Sequence, residues 1–141
     1  KQYIAVTGSI NQKGEVQAIG GVNQKIEGFF QLCKKRGFSS KQGVIIPVSN
    51  VQNLMLDEEI VQAVRENLFH IYAVKNVDEA VEILTGMKAG KQLDNGTFEP
   101  NSVKAQVDKK IREANEKLKK ISEAAENEKK SFFNDSDRFE K

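Results

Sequence analysis

The chain is short of the residues that most often carry catalysis or covalent bracing, and each shortage removes a class of function. Cys33 is the single cysteine, so no intrachain disulfide can form and a reducing compartment is the natural reading. His70 is the single histidine, which excludes a histidine metal cluster and leaves any Ser/His or Cys/His pair resting on one imidazole. Apolar runs stay well short of the roughly 20 residues that span a bilayer, and the N-terminus lacks a basic-then-apolar signal pattern. A soluble, cytoplasmic protein with no membrane role is expected. The net charge is +2, from 22 basic and 20 acidic residues that are interspersed rather than blocked, which argues against nucleic acid as a partner. A length of 141 residues fits one domain plus an appendage, with no room for a nucleotide-hydrolysing module beside another catalytic core.

What is present reads as strands alternating with helices. Tyr3 to Ile10 is rich in β-formers, and Asn11-Gln12-Lys13-Gly14 supplies a turn, so a hairpin with Glu15 to Ile19 is expected. Gly20-Gly21 breaks the strand. From Val22 the apolar residues Val22, Ile26, Phe29, Phe30 and Cys33 recur at helical spacing and Gly37 stands at a C-cap position, which predicts a helix over 22–36. Gly43 to Pro47 is a continuous apolar run that suits a buried parallel strand. Asn50 is positioned to cap a short helix through Met55, and Asp57 a second one carrying Ile60, Val61, Val64 and Leu68. Phe69 to Val74 reads as a further strand and Val77 to Leu84 as a further helix. The fold class is therefore α/β (α+β), a small layered sheet with covering helices. Residues 1–86 form this domain, 87–101 a polar connector, and 102–141 a charged amphipathic helix and tail. In the tail Val103, Val107, Ile111, Ala114, Leu118, Ile121 and Ala125 recur every three or four residues, a narrow stripe fit for one groove or one partner helix. Phe132, Phe133 and Phe139 read as a frayed end or docking tail.

The element with chemical promise is Gly20-Gly21-Val22-Asn23-Gln24-Lys25, which opens the first helix. A lysine is ordinarily an ammonium near neutral pH, its unperturbed value being about 10.4, and becomes a base only where burial or a nearby positive charge disfavours that form. One turn into a helix, the free N–H groups and partial positive charge of the N-terminus act in that direction, and glycines let backbone or substrate come close.

The combined string Val6-Thr7-Gly8-Ser9-Ile10, Gly14, Gly20-Gly21 and Lys25, followed by Gly43-Val44-Ile45-Ile46-Pro47 and Phe69-His70-Ile71-Tyr72, resembles the C-terminal proteolytic domain of ATP-dependent Lon proteases, especially the LonB-like branch. The resemblance covers most of residues 1–86 and implies a ribosomal-protein-like layered fold. It implies that Lys25 is the base of a Ser/Lys dyad, and that Thr7, in its Thr-Gly pair, orients the amine. It also implies a serine nucleophile in an Asp-Ser-Ala or Gly-Pro-Ser-Ala segment N-terminal to the hairpin. No such segment occurs here, so this chain is expected to be an inactive portion of the enzyme, and its start at Lys1-Gln2-Tyr3 resembles a boundary inside a larger domain. Lys25 is expected to be buried beside the Thr7 hydroxyl. Further implications are polypeptide substrates, a homo-oligomer that in the family is a ring of six, and ATP and Mg held by an AAA+ module on other sequence. This chain itself calls for no cofactor and no metal.

Other candidate residues have plainer readings. Cys33 suits a small buried hydrophobe, His70 a structural or edge residue in a strand, and Ser9 a polar strand position. Asp57-Glu58-Glu59 complements a helix dipole more readily than it binds a metal. The glycine pair lacks the Gly-x-x-x-x-Gly-Lys-Ser/Thr spacing of a phosphate loop. The charged helix has two readings, a solvated face laced by pairs such as Glu113 with Lys117 and Glu116 with Lys120, or a bridge to another subunit. The alternative function is accordingly a non-catalytic binding or assembly module with the same fold.

Overall fold

A computed structural model describes residues 1–136 of the chain, with side chains through residue 125. It divides into two units, Lys1–Ala89 and Gly90–Lys141. The first is built on a three-stranded parallel sheet of order β1-β4-β5, with β1 at Ile4–Val6, β4 at Gly43–Pro47 and β5 at His70–Val74. A separate antiparallel pair joins β2, Ser9–Ile10, to β3, Val16–Gln17. Helix α1 spans Val22–Arg36, α2 Glu58–Arg65 and α3 Val77–Thr85, and a 3-10 turn occupies Val48–Asn53.

The central strand organises this unit. All five residues of β4 are buried, and alternate side chains leave on opposite faces of the sheet. Val44 and Ile46 join Val22, Ile26, Phe30 and Cys33 of α1, Ile60 and Ala63 of α2, and Phe69. Ile45 instead joins Ile4, Val74 and Ala80 of α3, with Val16 of the hairpin packed alongside. Phe69 sits against Phe30 edge to face, ring centroids 5.3 Å apart, an arrangement that suits the quadrupoles of two aromatic rings. The continuous apolar run read in the sequence is thus covered on both sides, as a strand paired in parallel on both edges has to be. Gly43 is required by its neighbour: a Cβ there would stand 2.6 Å from the His70 carbonyl oxygen.

The segment expected to be one strand, Tyr3 to Ile10, is two. β1 follows β4 in register from Ile4 opposite Gly43 to Val6 opposite Ile45, and the Thr7 N–H still donates to the Ile45 carbonyl at 3.0 Å. The ladder then stops because the next donor on β4 would be Pro47, which has no N–H. At Gly8 the chain passes close to the Pro47 ring and the Val16 side chain, at 3.5 and 3.3 Å from where a Cβ would lie, and leaves the sheet to form the hairpin. That hairpin is fastened to the end of β5 by Val16 N–H to Lys75 and Val77 N–H to Gly14, both at 2.9 Å.

Asn50 also departs from expectation. It lies inside the 3-10 turn and caps no helix. Asp57 is at the N-cap of α2, where its side chain makes no capping bond, and Glu59 pairs with Lys34 while Glu58 pairs with Arg65 at 3.3 Å. At α3 the Asn76 side chain does cap, accepting from the Glu79 N–H at 3.0 Å.

In the second unit a small loop closes by an isolated bridge between Gln92 and Phe98, and α4 runs over Val103–Ser136 as one helix. Ser102 caps it: its hydroxyl donates to the Glu99 carbonyl at 2.6 Å and accepts from the Ala105 N–H at 3.2 Å. Ion pairs along this helix include Asp108 with Arg112 and Lys109 with Glu113. Val103, Val107 and Ile111 line a cavity with Phe98 in this unit, and farther along the apolar stripe is exposed. Ile111, Leu118 and Ile121 are 54%, 62% and 65% exposed. Phe132 and Phe133 fall within α4, and Phe139 lies outside the described residues. Replacing Ile111, Leu118 and Ile121 together by Ser should leave helix content by circular dichroism and the thermal midpoint nearly unchanged, since Ser and Ile differ by only a few tenths of a kcal/mol or less in helix propensity. Melting of the helix by these changes would show that the stripe is covered in solution.

Candidate functional site

The turn that launches α1 is set by one glycine of the pair. Gly21 adopts φ 67° and ψ 28°, the left-handed region that costs other residues energy, and its carbonyl accepts the first helical bond, from Lys25 N–H at 3.1 Å. Gly20 has no such requirement, and a Cβ there would meet nothing within 4 Å. The helix start carries no side-chain cap and no acidic residue in its first turn, so its free N–H groups keep their partial positive charge beside Lys25.

Lys25 does not sit where it was expected. Its side chain is exposed, and its ammonium makes no hydrogen bond or ion pair among the described residues. The reason lies in the helix phase. Val22, Ile26, Phe30 and Cys33 form the buried stripe, and Lys25 stands off it on the exposed part of the helix. Thr7 is half-buried at the end of β1, and its side chain lines a small apolar cavity of about 50 Å³ with Val6, Gly8, Ile10, Val16 and Ile45 among others. Its hydroxyl is not hydrogen-bonded to Lys25. The two residues thus stand at the ends of the elements that the hairpin connects, the strand end and the helix start, without meeting.

The turn itself is held by two asparagines that sequence reasoning did not single out for this role. Asn50, 4% exposed, accepts from the Ile19 N–H and donates to the Ile19 carbonyl, both at 3.0 Å. On the far side of the glycines, Asn23 donates to the Asn53 carbonyl at 3.3 Å and accepts from the Met55 N–H at 3.1 Å. Local pattern could not reveal these bonds, which join residues about thirty apart in the chain.

The remaining candidates fit their plainer readings. Cys33 is buried, and desolvation pushes its thiol above the ordinary value, with the positive charge of Arg36 acting in the opposite direction. It lines an apolar cavity of about 300 Å³ with Tyr3, Phe29 and Leu32. The imidazole Nε2 of His70 lies 3.1 Å from the Ser40 carbonyl, at the start of the edge strand β5. Ser9 is exposed in β2 opposite Gln17. Among the described residues no group of three or more His, Cys, Asp or Glu is arranged to hold a metal, and no helix is long and apolar enough to cross a membrane.

Residues 1–86 match the family described as the Lon protease (S16) C-terminal proteolytic domain. A Lon protease homolog of Haemophilus influenzae is 39% identical over 132 residues, which are 94% of this chain and 20% of that protein, so the similarity runs well past residue 86 into α4. A Lon protease homolog of Escherichia coli is 50% identical over 86 residues, 61% of this chain and 15% of that protein. An archaeal Lon protease of Archaeoglobus fulgidus is 37% identical over 81 residues, 57% of this chain and 11% of that protein. The chain spans a fifth or less of the length of these curated relatives.

The geometry of the turn gives a direct contrast. Gly21→Ala should destabilise the fold by about 1 kcal/mol or more, from placing a Cβ in the left-handed region, whereas Gly20→Ala should be close to neutral. Urea unfolding of the two variants checks this, and equal midpoints would show that the turn is not held in this conformation.

Proposed function

The chain belongs to the Lon protease C-terminal proteolytic domain family, and from that membership we propose that it forms part of the proteolytic domain of an ATP-dependent serine endopeptidase working through a Ser/Lys dyad. The observation that carries the reading is the placement of Lys25, the lysine of the family-like Gly-Gly-x-x-x-Lys string, one turn beyond a left-handed glycine at an uncapped helix start. Lys25 is the base. In this reading Thr7, at the end of β1, becomes the partner that orients its amine once the lysine is enclosed.

The nucleophile in this reading is a serine on sequence preceding Lys1, carried by a segment that covers the exposed flank of α1. A lysine takes a proton only as the neutral amine, a form that exclusion of solvent favours. The Lys25 amine removes the serine proton as the serine oxygen attacks a peptide carbonyl, and the tetrahedral oxyanion is held by backbone N–H groups beside the serine. Collapse expels the amine half of the substrate, to which Lys25 returns the proton, and leaves an acyl-enzyme that water hydrolyses. Taken alone, the 141-residue chain would be inactive. Substrates are polypeptides, unfolded or regulatory. ATP and Mg belong to an ATPase module on other sequence, since this chain has no phosphate-loop spacing. A homo-oligomeric ring of six and a cytoplasmic location complete the proposal.

A second reading, a binding or assembly module with this fold, draws its support from the exposed apolar stripe of α4. The two separate on one substitution. In the full-length protein Lys25→Ala should lower cleavage of an unfolded protein substrate by about 10² to 10⁴ or more, the usual contribution of a positioned base, while Lys35→Ala leaves it unchanged. Cleavage by Lys25→Ala at the parent rate would overturn Lys25 as the base, and a full-length parent that cleaves no polypeptide would leave the binding module.

A further inference from the structure

We infer that Asn50 is a positioning residue for Lys25, fixing through the Ile19 backbone the turn from which the helix bearing that lysine departs. The inference rests on the reading of Lys25 as base and extends it to a residue outside the reacting set.

Asn50 is one of two buried polar side chains among the described residues. A carboxamide offers an acceptor and a donor in one plane, and Asn50 spends both on a single residue, Ile19, whose N–H and carbonyl it engages at 3.0 Å each. That is the pair of hydrogen bonds that a residue on a neighbouring antiparallel strand would supply. No strand is there to supply it, because β3 ends at Gln17. Asn50 therefore stands in for a missing strand at the last residue before the glycine pair.

The opposite side of the pair is tied to the same segment. Asn23, two residues before Lys25, bonds the Asn53 carbonyl and the Met55 N–H. Gly20 and Gly21, the most freely rotating part of this path, are thus bracketed by bonds from residues 50–55, while their own turn has no side-chain cap. The bracket begins at Pro47, the end of the fully buried strand β4. Rigid structure passes from β4 through residues 48–55 to Ile19 and Asn23, and so to the first turn of α1. An exposed lysine on a glycine hinge would sample many positions; the bracket confines its Cα.

The test is made in the full-length protein with Asn50→Ala, Asn50→Asp and Asn23→Ala. Asn50→Asp keeps the volume and the acceptor but sets a carboxylate against the Ile19 carbonyl, so it separates hydrogen bonding from packing. Hydrogen–deuterium exchange, read by mass spectrometry, should quicken in peptides covering residues 17–25 and stay unchanged in those covering 43–47. Steady-state cleavage should show kcat down by about 10²-fold, the loss that a displacement of about 1 Å produces, with KM unchanged. A merely structural role would accelerate exchange in both regions, or leave kcat per folded molecule at the parent value, and either outcome overturns the inference. Asn23→Ala, at a half-buried surface position, keeps the test available if both Asn50 variants fail to fold. If the parent itself shows no Lys25-dependent cleavage, the functional reading fails separately, and the exchange data still decide whether Asn50 holds the turn.

Discussion

The burial of β4 on both faces and both edges is the constraint on which the first unit depends. Val44 and Ile46 point to one helical layer, Ile45 to the other, and the backbone pairs in parallel with β1 and β5. No residue in that strand is free to change its face without exposing apolar surface, since a one-residue slip reverses every side chain. Its two ends then impose the surrounding geometry. Gly43 admits the close approach of His70, and Pro47, lacking an N–H, ends the pairing with β1 and sends the chain into the 3-10 turn.

The candidate site inherits its position from that second end. Thr7 is the residue at which β1 loses its partner, and Asn50 lies three residues beyond the proline that causes the loss. The carboxamide of Asn50 and the hydroxyl-bearing strand end are thus products of the same interruption. Lys25 is held at its backbone and exposed at its side chain, and among the described residues no group completes a base site around it. The chain spans a fifth or less of the length of the curated relatives it matches.

Much of the scaffold was legible in the sequence because its signals are local. The stripe Val22, Ile26, Phe30, Cys33 with Gly37 after it reads as α1 without ambiguity, and the helix spans Val22–Arg36 as expected. The apolar run Gly43–Pro47 and its flanking punctuation give β4 in the same way. The failures share a cause. The split of Tyr3–Ile10 into two strands follows from the ring of Pro47, some forty residues away, and from the partner it denies to Thr7. Asn50 resembles a helix cap to any reading confined to neighbours, yet its two bonds reach back to Ile19. The family-like string drew attention to Lys25 and Thr7 as residue types at a spacing, but spacing carries no information on which face of a helix is covered. For α4, periodicity gave a continuous helix correctly, while the same stripe left open whether anything packs on it.

The central claim is that Lys25 is a base completed by a segment outside this chain. A crystal structure of the full-length protein tests it most directly. The account predicts the Lys25 amine enclosed, with its Nζ about 2.6 to 3.2 Å from a serine hydroxyl and Thr7 Oγ1 as its second partner. A Lys25 side chain still extended into solvent, with no hydroxyl within reach, would contradict it.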